Sequence, residues 1–116
     1  MRLGEVCLMT GDAPRLAAFY RALLGLPAID CADAHQVITD GEVSLTVFSD
    51  GTPVPAGQTA SLAFTVDDIH AEHARLAALG FDIVAPPTAR PWGAVNMILR
   101  DPDGRLVYLR EIGSCV

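Results

Sequence analysis

The chain of 116 residues contains no lysine, so all eight of its basic residues are arginines. They are scattered from Arg2 to Arg110 and are outnumbered by fourteen acidic residues, which gives a formal net charge of −6. A protein that tracks phosphates needs a clustered positive surface, so we expect no nucleic-acid partner. No stretch approaches the roughly 18 apolar residues of a membrane span, so we expect no membrane partner either.

Cysteines are also few, and Cys7, Cys31 and Cys115 are odd in number and far apart. This spacing suits reduced thiols better than a disulfide framework or a cysteine-based zinc site. The first residues carry no signal-peptide pattern, and with reduced thiols this predicts a cytoplasmic protein. A chain of this length buries roughly two thirds of its unfolded surface, which is enough to fold without disulfide bonds or a structural metal ion.

What the sequence does contain is one strand–helix unit used twice. The first copy runs from an apolar strand at 6–9 to Gly25, and the second from a strand at 62–66 to Gly80. Each helix is preceded by aspartate, a typical N-cap, and ends before glycine, a typical C-terminal residue. The predicted caps are Asp12, Asp67 and Asp68, and Asp12 to Gly25 and Asp67 to Gly80 are both thirteen residues apart. An internal repeat in so short a chain predicts a pseudo-symmetric fold with its site between the halves.

Turn residues and alternating apolar positions place the remaining elements. In the first half, strands are predicted at 28–32, 35–40 and 42–48, with a hairpin turn at Asp40-Gly41. In the second half, they are predicted at 81–84, 92–99 and 105–111. The proline-rich segment at 85–91 is predicted to be a loop, either a lid or a solvated linker. The chain therefore divides into a βαβββ module at 1–48, a linker at 49–58 and a βαβββ module at 59–116.

This order of elements resembles the vicinal oxygen chelate superfamily, which includes glyoxalase I, extradiol dioxygenases and bleomycin-resistance proteins. The resemblance rests on the motif FYRALLGL at 19–26 and on the closing pattern Trp92-Gly93, Asp101-Pro102-Asp103-Gly104 and Tyr108. It covers nearly the whole chain and implies an α+β fold in a single domain, 1–116. Each βαβββ module would form a partly open mixed sheet with its helix outside, and together they would form a cleft. A homodimer is also implied, because pairing would cover open strand edges.

Alternation along the strands predicts which side chains face this cleft. Trp92 would offer a flat wall for an aromatic ligand, or would instead lie in the core or a dimer interface. Arg110 would offer an anion contact. Cys7 shares the face with Glu5, but no histidine is spaced to activate it. The expected ligand-binding residues are Glu5, Met9, Ser44, Thr46, Phe48, Ser61, Trp92, Asn96, Tyr108 and Arg110.

The residues at the metal positions of the superfamily are poor ligands. Metal-dependent members place one ligand on each of four strands, and the matching positions here are Glu5, Ser44, Ser61 and Tyr108. Only Glu5 is a good ligand, whereas a catalytic ion needs about three protein donors. His70 and His73 share a helix face, and His35 lies on or just before a strand. Neither the pair nor His35 supplies the three ligands of a catalytic metal site. We therefore expect no metal and no cofactor.

Two functions from different classes remain open. The first is a metal-free binder resembling bleomycin-resistance proteins, which sequesters an aromatic or amphipathic ligand in clefts of a homodimer. The acidic charge would favour a cationic ligand. The alternative is a lyase, isomerase or dioxygenase, either metal-dependent with non-standard ligands or metal-free. In the metal-free enzyme, Glu5 would be the general base and Tyr108 would donate a proton or a hydrogen bond. The structural alternative is that Glu5 pairs with an arginine such as Arg2 or Arg110. A third possibility is an interaction module that kept the fold and lost chemistry.

Overall fold

The computed structural model describes residues 2–49, 62–91 and 93–112. The chain divides into two compact units, Met1–Gly57 and Gln58–Val116. Each unit has one helix that packs against one sheet. The linker predicted at 49–58 lies almost wholly outside the described residues. No helix within the described ranges is long and apolar enough to cross a membrane.

The described part of the first unit is built from three strands and one helix. These are β1 (Glu5–Met9), α1 (Ala13–Leu23), β2 (His35–Asp40) and β3 (Ser44–Phe48). The sheet order is β1-β3-β2, with β1 parallel and β2 antiparallel to the central strand. One face of the sheet packs against α1 and forms the core of the unit, because alternate strand residues are apolar. The buried residues of this core include Leu8, Leu45 and Val47 of the sheet and Leu16, Tyr20 and Leu23 of α1.

Helix α1 begins and ends at the residues that local chemistry predicts. The Asp12 carboxylate accepts a hydrogen bond from the backbone N–H of Arg15 at 3.1 Å. At the other end, Gly25 has φ +70, and the Leu26 N–H donates to the Arg21 carbonyl at 2.8 Å. This left-handed terminus favours glycine, since a side chain there would crowd the backbone. The predicted helix and both of its end signals are confirmed.

The second unit follows the full βαβββ order. It contains β4 (Leu62–Thr65), α2 (Ile69–Ala78), β5 (Ile83–Ala89), β6 (Ala94–Arg100) and β7 (Leu106–Ile112). The sheet order is β4-β7-β6-β5, with only the β4–β7 pair parallel. The core again lies between the helix and one sheet face. Its fully or nearly fully buried residues include Ile69 and Leu76 of α2 and Met97, Leu99, Val107 and Leu109 of the sheet.

Of the two aspartates before α2, Asp68 is the N-cap and Asp67 is not. The Asp68 carboxylate accepts a hydrogen bond from the Ala71 N–H at 3.1 Å. The Glu111 carboxylate, from β7, accepts the Ile69 N–H at 3.0 Å and so satisfies a second free donor of the first turn. The prediction for Asp67 was wrong because α2 has ten residues where α1 has eleven, so the equal spacings to glycine do not join equivalent caps.

Residues 28–32 do not form the strand that was predicted there. The side-chain amide of Gln36, on β2, donates to the carbonyls of Cys31 at 3.1 Å and Asp33 at 3.0 Å. The Gln36 carbonyl oxygen in turn accepts from Nη1 of Arg21 at 2.8 Å, and both of these side chains are buried. The Cys31 carbonyl is therefore bonded to a side chain, whereas in a strand it would have been paired with a neighbouring strand. The described part of the first unit has three strands.

The proline-rich segment is strand for most of its length, so the predicted loop at 85–91 was wrong. Strand β5 continues through Pro86 and Pro87 to Ala89. Proline is tolerated there because β5 lies at the edge of its sheet, where one side of the strand needs no ladder hydrogen bonds. The pairing with β6 also shifts register between Ile83 and Ala85 and again between Ala85 and Thr88. Such irregularities are how an edge strand accommodates residues that cannot donate.

Candidate functional site

The sheet of the first unit has one face that α1 does not cover. Cross-strand pairs on this face join Glu5 to Ser44, Cys7 to Thr46 and Met9 to Phe48. Strand β2 extends the same rows, with Val37 opposite Thr46 and His35 opposite Phe48. We call this surface the first open face. It comprises Glu5, Cys7, Met9, His35, Val37, Ser44, Thr46 and Phe48, and so brings together all five ligand-binding residues predicted in this unit.

The first open face is amphipathic. On the two edge strands, Met9 of β1 is 40% exposed and Val37 of β2 is 47% exposed, so apolar side chains form part of this surface. Phe48 is half-buried and meets the His35 ring edge-on, with ring centroids 6.0 Å apart. Glu5, Ser44 and Thr46 add polar groups to the same surface. An aromatic or aliphatic ligand could therefore bury apolar area here while its polar atoms form hydrogen bonds.

Glu5 is held in place by a neighbouring hydroxyl. Thr46 is buried, and its Oγ1 donates to Oε1 of Glu5 at 3.2 Å. Among the described residues of its own unit, Glu5 forms no ion pair, so the expected alternative of a pairing with Arg2 is not seen there. The carboxylate is exposed, and it is available to accept a hydrogen bond from a ligand.

The sheet of the second unit also has a face that its helix leaves open. Here β7 pairs Tyr108 with Ala63 and with Ile98, on its two neighbouring strands. It pairs Arg110 with Thr65 and with Asn96, and Thr88 of β5 continues that row beside Asn96. We call this surface the second open face. It comprises Ala63, Thr65, Thr88, Asn96, Ile98, Tyr108 and Arg110, and so includes the predicted ligand-binding residues Asn96, Tyr108 and Arg110.

Two polar groups on the second open face have hydrogen-bonding capacity that the described residues do not use. The exposed Arg110 donates from Nε to Oγ1 of Thr65 at 3.0 Å. The side-chain oxygen of Asn96, Oδ1, is buried and has no hydrogen-bond partner among the described residues. Buried polar atoms are normally bonded, so an exception calls for an explanation such as strain, a bound water or ion, or a functional role.

Two polar residues of this face were not among the predicted binding residues. The alternation of Thr65 with Leu62 and Phe64 places it on the open strand face, but does not identify it as a partner for Arg110. Thr88 lies in the proline-rich segment that sequence patterns assign to a loop, so its position beside Asn96 required the edge strand to be seen. Alternation could have identified Thr65, whereas no signal in the sequence identified Thr88.

Two predicted binding residues, Ser61 and Trp92, lie outside the described residues, and their roles stay predictions. The same holds for the approach of Glu5 to Tyr108 across a cleft, because these residues belong to different units. Ser44 and Tyr108, at two of the superfamily's metal positions, lie on open faces. As metal ligands they offer only a hydroxyl and a phenol. The Ser44 hydroxyl already donates to Oδ1 of Asp40 at 3.2 Å.

The superfamily resemblance implies a divalent metal, and the donors at the matching positions do not fit one. Of the described residues among them, only Glu5 carries a carboxylate, and hydroxyl and phenol oxygens are poor ligands for such ions. Within 2–49, 62–91 and 93–112, no three histidine, cysteine, aspartate or glutamate side chains are grouped so that they could hold a metal ion. His70 and His73 of α2 accordingly lack a third ligand in the described part of the chain.

Comparisons with known proteins agree with this architecture. The family model described as "Glyoxalase/Bleomycin resistance protein/Dioxygenase superfamily" matches residues 2–109. A search of curated proteins gave no match.

Several solved structures share the fold over nearly the whole chain. A glyoxalase/bleomycin resistance protein/dioxygenase from Nocardioides is 22% identical, with a TM-score of 0.77, over 98% of this chain and 85% of that one. TioX from Micromonospora sp. ML1 is 24% identical, with a TM-score of 0.72, over 96% and 98% of the two chains. Lactoylglutathione lyase from Agrobacterium tumefaciens is 23% identical, with a TM-score of 0.73, over 95% and 92%. At these identities the likeness is one of fold.

Proposed function

The chain belongs to the glyoxalase/bleomycin resistance protein/dioxygenase superfamily, and from this premise we propose that it is a metal-free small-molecule-binding protein. In this proposal it resembles bleomycin-resistance proteins and sequesters an aromatic or amphipathic ligand in clefts of a homodimer. Where that ligand is a drug, sequestration confers antibiotic resistance. A shared fold hosts many chemistries, so the function depends on the residues of the site.

The observation that carries the proposal is the composition of the first open face. Met9, Val37 and Phe48 present apolar side chains there, and Met9 adapts easily to differently shaped ligands. Glu5 supplies an exposed carboxylate oriented by Thr46. A face of this kind supports binding through apolar burial plus a few polar contacts. The carboxylate favours a ligand that carries a hydrogen-bond donor or a positive charge.

A binding experiment with a neutral aromatic compound tests the proposal. We would titrate the full-length protein with 2-naphthol and follow the backbone amides by NMR. Amides of the first open face are expected to shift. Phe48→Ala should weaken binding by about fivefold, since an aromatic pair contributes about 1 kcal/mol beyond its buried area.

Leu79→Ala is the matched control for Phe48→Ala, because Leu79 is 59% exposed and lies at the end of α2 in the second unit. It removes an exposed apolar side chain that is not part of the first open face. Equal weakening by the two variants, or an absence of amide shifts on that face, would count against the proposal.

The enzyme alternative draws on one observation, the hydrogen bond from Thr46 that orients Glu5. A carboxylate positioned in this way can act as a general base when substrate is bound beside it. Native mass spectrometry of the protein, purified without chelator or added metal, would identify any bound organic compound. One transition-metal ion per subunit would favour a metal-dependent enzyme over the binder.

Glu5→Gln then separates the two functions. Mass spectrometry would follow the co-purified compound over time with the original protein and with the variant. An enzyme that uses Glu5 converts the compound and loses that activity in Glu5→Gln. A binder leaves the compound unchanged in both cases, and a neutral ligand such as 2-naphthol binds the variant almost as well.

A further inference from the structure

A row of polar side chains crosses all four strands of the second open face. In sheet order it consists of Thr65 on β4, Arg110 on β7, Asn96 on β6 and Thr88 on β5. Residues paired directly across antiparallel strands have their Cβ atoms about 5 Å apart, so Asn96 and Arg110 are immediate neighbours. We call this set the polar row.

Within the polar row, Thr65 orients the Arg110 guanidinium. The Nε–H donates to Oγ1 of Thr65 at 3.0 Å, and among the described residues the two Nη groups have no partner. A guanidinium with Nε occupied still presents a pair of parallel N–H donors at its outer end. Such a pair matches the two oxygens of a carboxylate. Arg110 is exposed, so a ligand can reach this end of it.

Asn96 imposes a second requirement on the same ligand. Its Oδ1 is unbonded among the described residues and almost without accessible surface, so a ligand donor reaches it only after the Asn96 side chain rotates towards the open face. An amide oxygen can only accept hydrogen bonds. A carboxylate oxygen placed against it would be repelled, whereas a hydroxyl or an amine would satisfy it. Because Asn96 and Arg110 are adjacent, the group that donates to Asn96 must lie next to the carboxylate that binds Arg110.

Apolar surface adjoins the polar row on the side of Ile98 and Tyr108. These two residues pair across the strands two positions away from Asn96 and Arg110, and so lie on the same face about 7 Å along the sheet. Both are half-buried. A ring attached through one or two carbons to the carboxylate-bearing carbon would reach them.

We infer that the second open face binds aromatic carboxylic acids with a hydrogen-bond donor on the carbon next to the carboxylate. Arg110 binds the carboxylate, Asn96 Oδ1 accepts from the donor, and Ile98 with Tyr108 contacts the ring. The inference rests on the proposed binding function and extends it to the second open face. A hydroxy acid and an amino acid both meet this requirement.

Three probes of the same size test the inference. Phenyllactate carries a hydroxyl next to its carboxylate, phenylalanine carries an amine there, and 3-phenylpropanoate carries neither. Affinities for the full-length protein would be measured by NMR titration to millimolar concentration. Phenyllactate or phenylalanine should bind at least about fivefold more tightly than 3-phenylpropanoate, because a net hydrogen bond contributes about 1 kcal/mol. Whichever of the two binds more tightly identifies the donor.

Two variants then assign the contacts. Arg110→Gln should weaken all three probes by about tenfold or more, as expected for the loss of a charge-assisted pair of hydrogen bonds. Asn96→Leu should remove the preference for phenyllactate or phenylalanine over 3-phenylpropanoate. It should also fold normally, since it replaces an unbonded buried oxygen with an apolar group of similar shape. Should it fail to fold, Asn96→Ala makes the same test.

Arg100→Gln is the matched control for charge. Arg100 is an exposed arginine of the same sheet, paired with Asp82 at 3.7 Å, and its loss changes the net charge equally. It should leave all three affinities unchanged. Equal effects of Arg100→Gln and Arg110→Gln, equal binding of the three probes, or no binding of any of them would overturn the inference. If the inference fails but 2-naphthol still shifts amides of the first open face, the proposed function stands. If 2-naphthol shifts none of them either, the inference and the proposed function are both overturned.

Discussion

At the scale of single residues, the most consequential group outside the two open faces is the turn before β7. Arg105 and Asp101 are buried there, with Nη1 of Arg105 3.3 Å from Oδ2 of Asp101 and 3.0 Å from Oδ2 of Asp103. Oδ1 of Asp101 also accepts the backbone N–H groups of Asp103 and Arg105, both at 2.9 Å. The motif Asp-Pro-Asp-Gly by itself predicts this turn. The structure adds the buried guanidinium of Arg105, which pairs with the turn's carboxylates.

Removal of one partner should therefore destabilise the protein strongly. We expect Arg105→Met to lower the free energy of unfolding by about 3 to 5 kcal/mol, because it leaves the buried Asp101 carboxylate without its counter-charge. Urea unfolding followed by circular dichroism measures the change. Arg100→Met is the control, since both side chains of its pair with Asp82 are exposed, by 46% and 67%, and the pair should contribute at most about 0.5 kcal/mol. Similar losses in the two variants would contradict this account of the turn.

At the scale of elements, both helices end in the same way. Gly25 has φ +70 and Gly80 has φ +80, and the residue after each glycine donates back to the helix, Leu26 to Arg21 and Phe81 to Leu76. Nothing lies within 4 Å of a Cβ built on either glycine. A side chain there would meet no neighbour, so the only cost of a substitution is the backbone conformation.

Gly25→Ala should for this reason lower the free energy of unfolding by about 1 kcal/mol, the cost of left-handed backbone for a residue with a side chain. Thermal and urea unfolding would both report it. Gly41→Ala is the control, because Gly41 also has open space around its Cβ but does not have positive φ. It should be neutral or slightly stabilising. A neutral Gly25→Ala would show that this helix end does not need glycine.

The start of α2 allows a test with adjacent residues of equal charge. Asp68→Ala removes the acceptor for the Ala71 N–H and should cost about 1 kcal/mol of stability. Asp67→Ala changes the net charge equally but removes no cap, so the stability should hardly change. Equilibrium unfolding in urea compares the two variants directly. A larger loss from Asp67→Ala would mean that the helix begins one residue earlier than the structure shows.

At the scale of the whole molecule, the two sheets end in edge strands, β1 and β2 in the first and β4 and β5 in the second. Edges, and exposed apolar residues outside the two open faces such as Leu3 and Ile29, are surfaces that a second copy of the chain would cover. We accordingly expect a homodimer. Sedimentation equilibrium should give twice the chain mass of 12.3 kDa at micromolar concentration. A mass of one chain throughout that range would contradict the homodimer and leave single-chain binding to be tested by titration.

The sequence predicted much of this fold because its signals are local. Asp12 and Gly25 bound α1 through hydrogen bonds within a few residues, and the alternation of Leu45, Thr46 and Val47 predicts which strand face meets the helix. The same alternation brought Glu5, Met9, Ser44, Thr46 and Phe48 onto one face. It could not show that Thr46 is buried and bonded to Glu5, because that contact joins residues 41 positions apart.

The sequence by itself determined the repeated strand–helix units, the helix ends and the membership of most strand faces, since each depends on neighbours within a turn or on a period of two. Only the tertiary structure decided the remaining features. Pro86 and Pro87 lie in a strand because β5 is at the sheet edge, and within 28–32 the Cys31 carbonyl bonds the Gln36 side chain instead of a neighbouring strand. Asn96 lies beside Arg110 because two strands pair in one register. These depend on which distant segments meet, and local propensity carries no information about that.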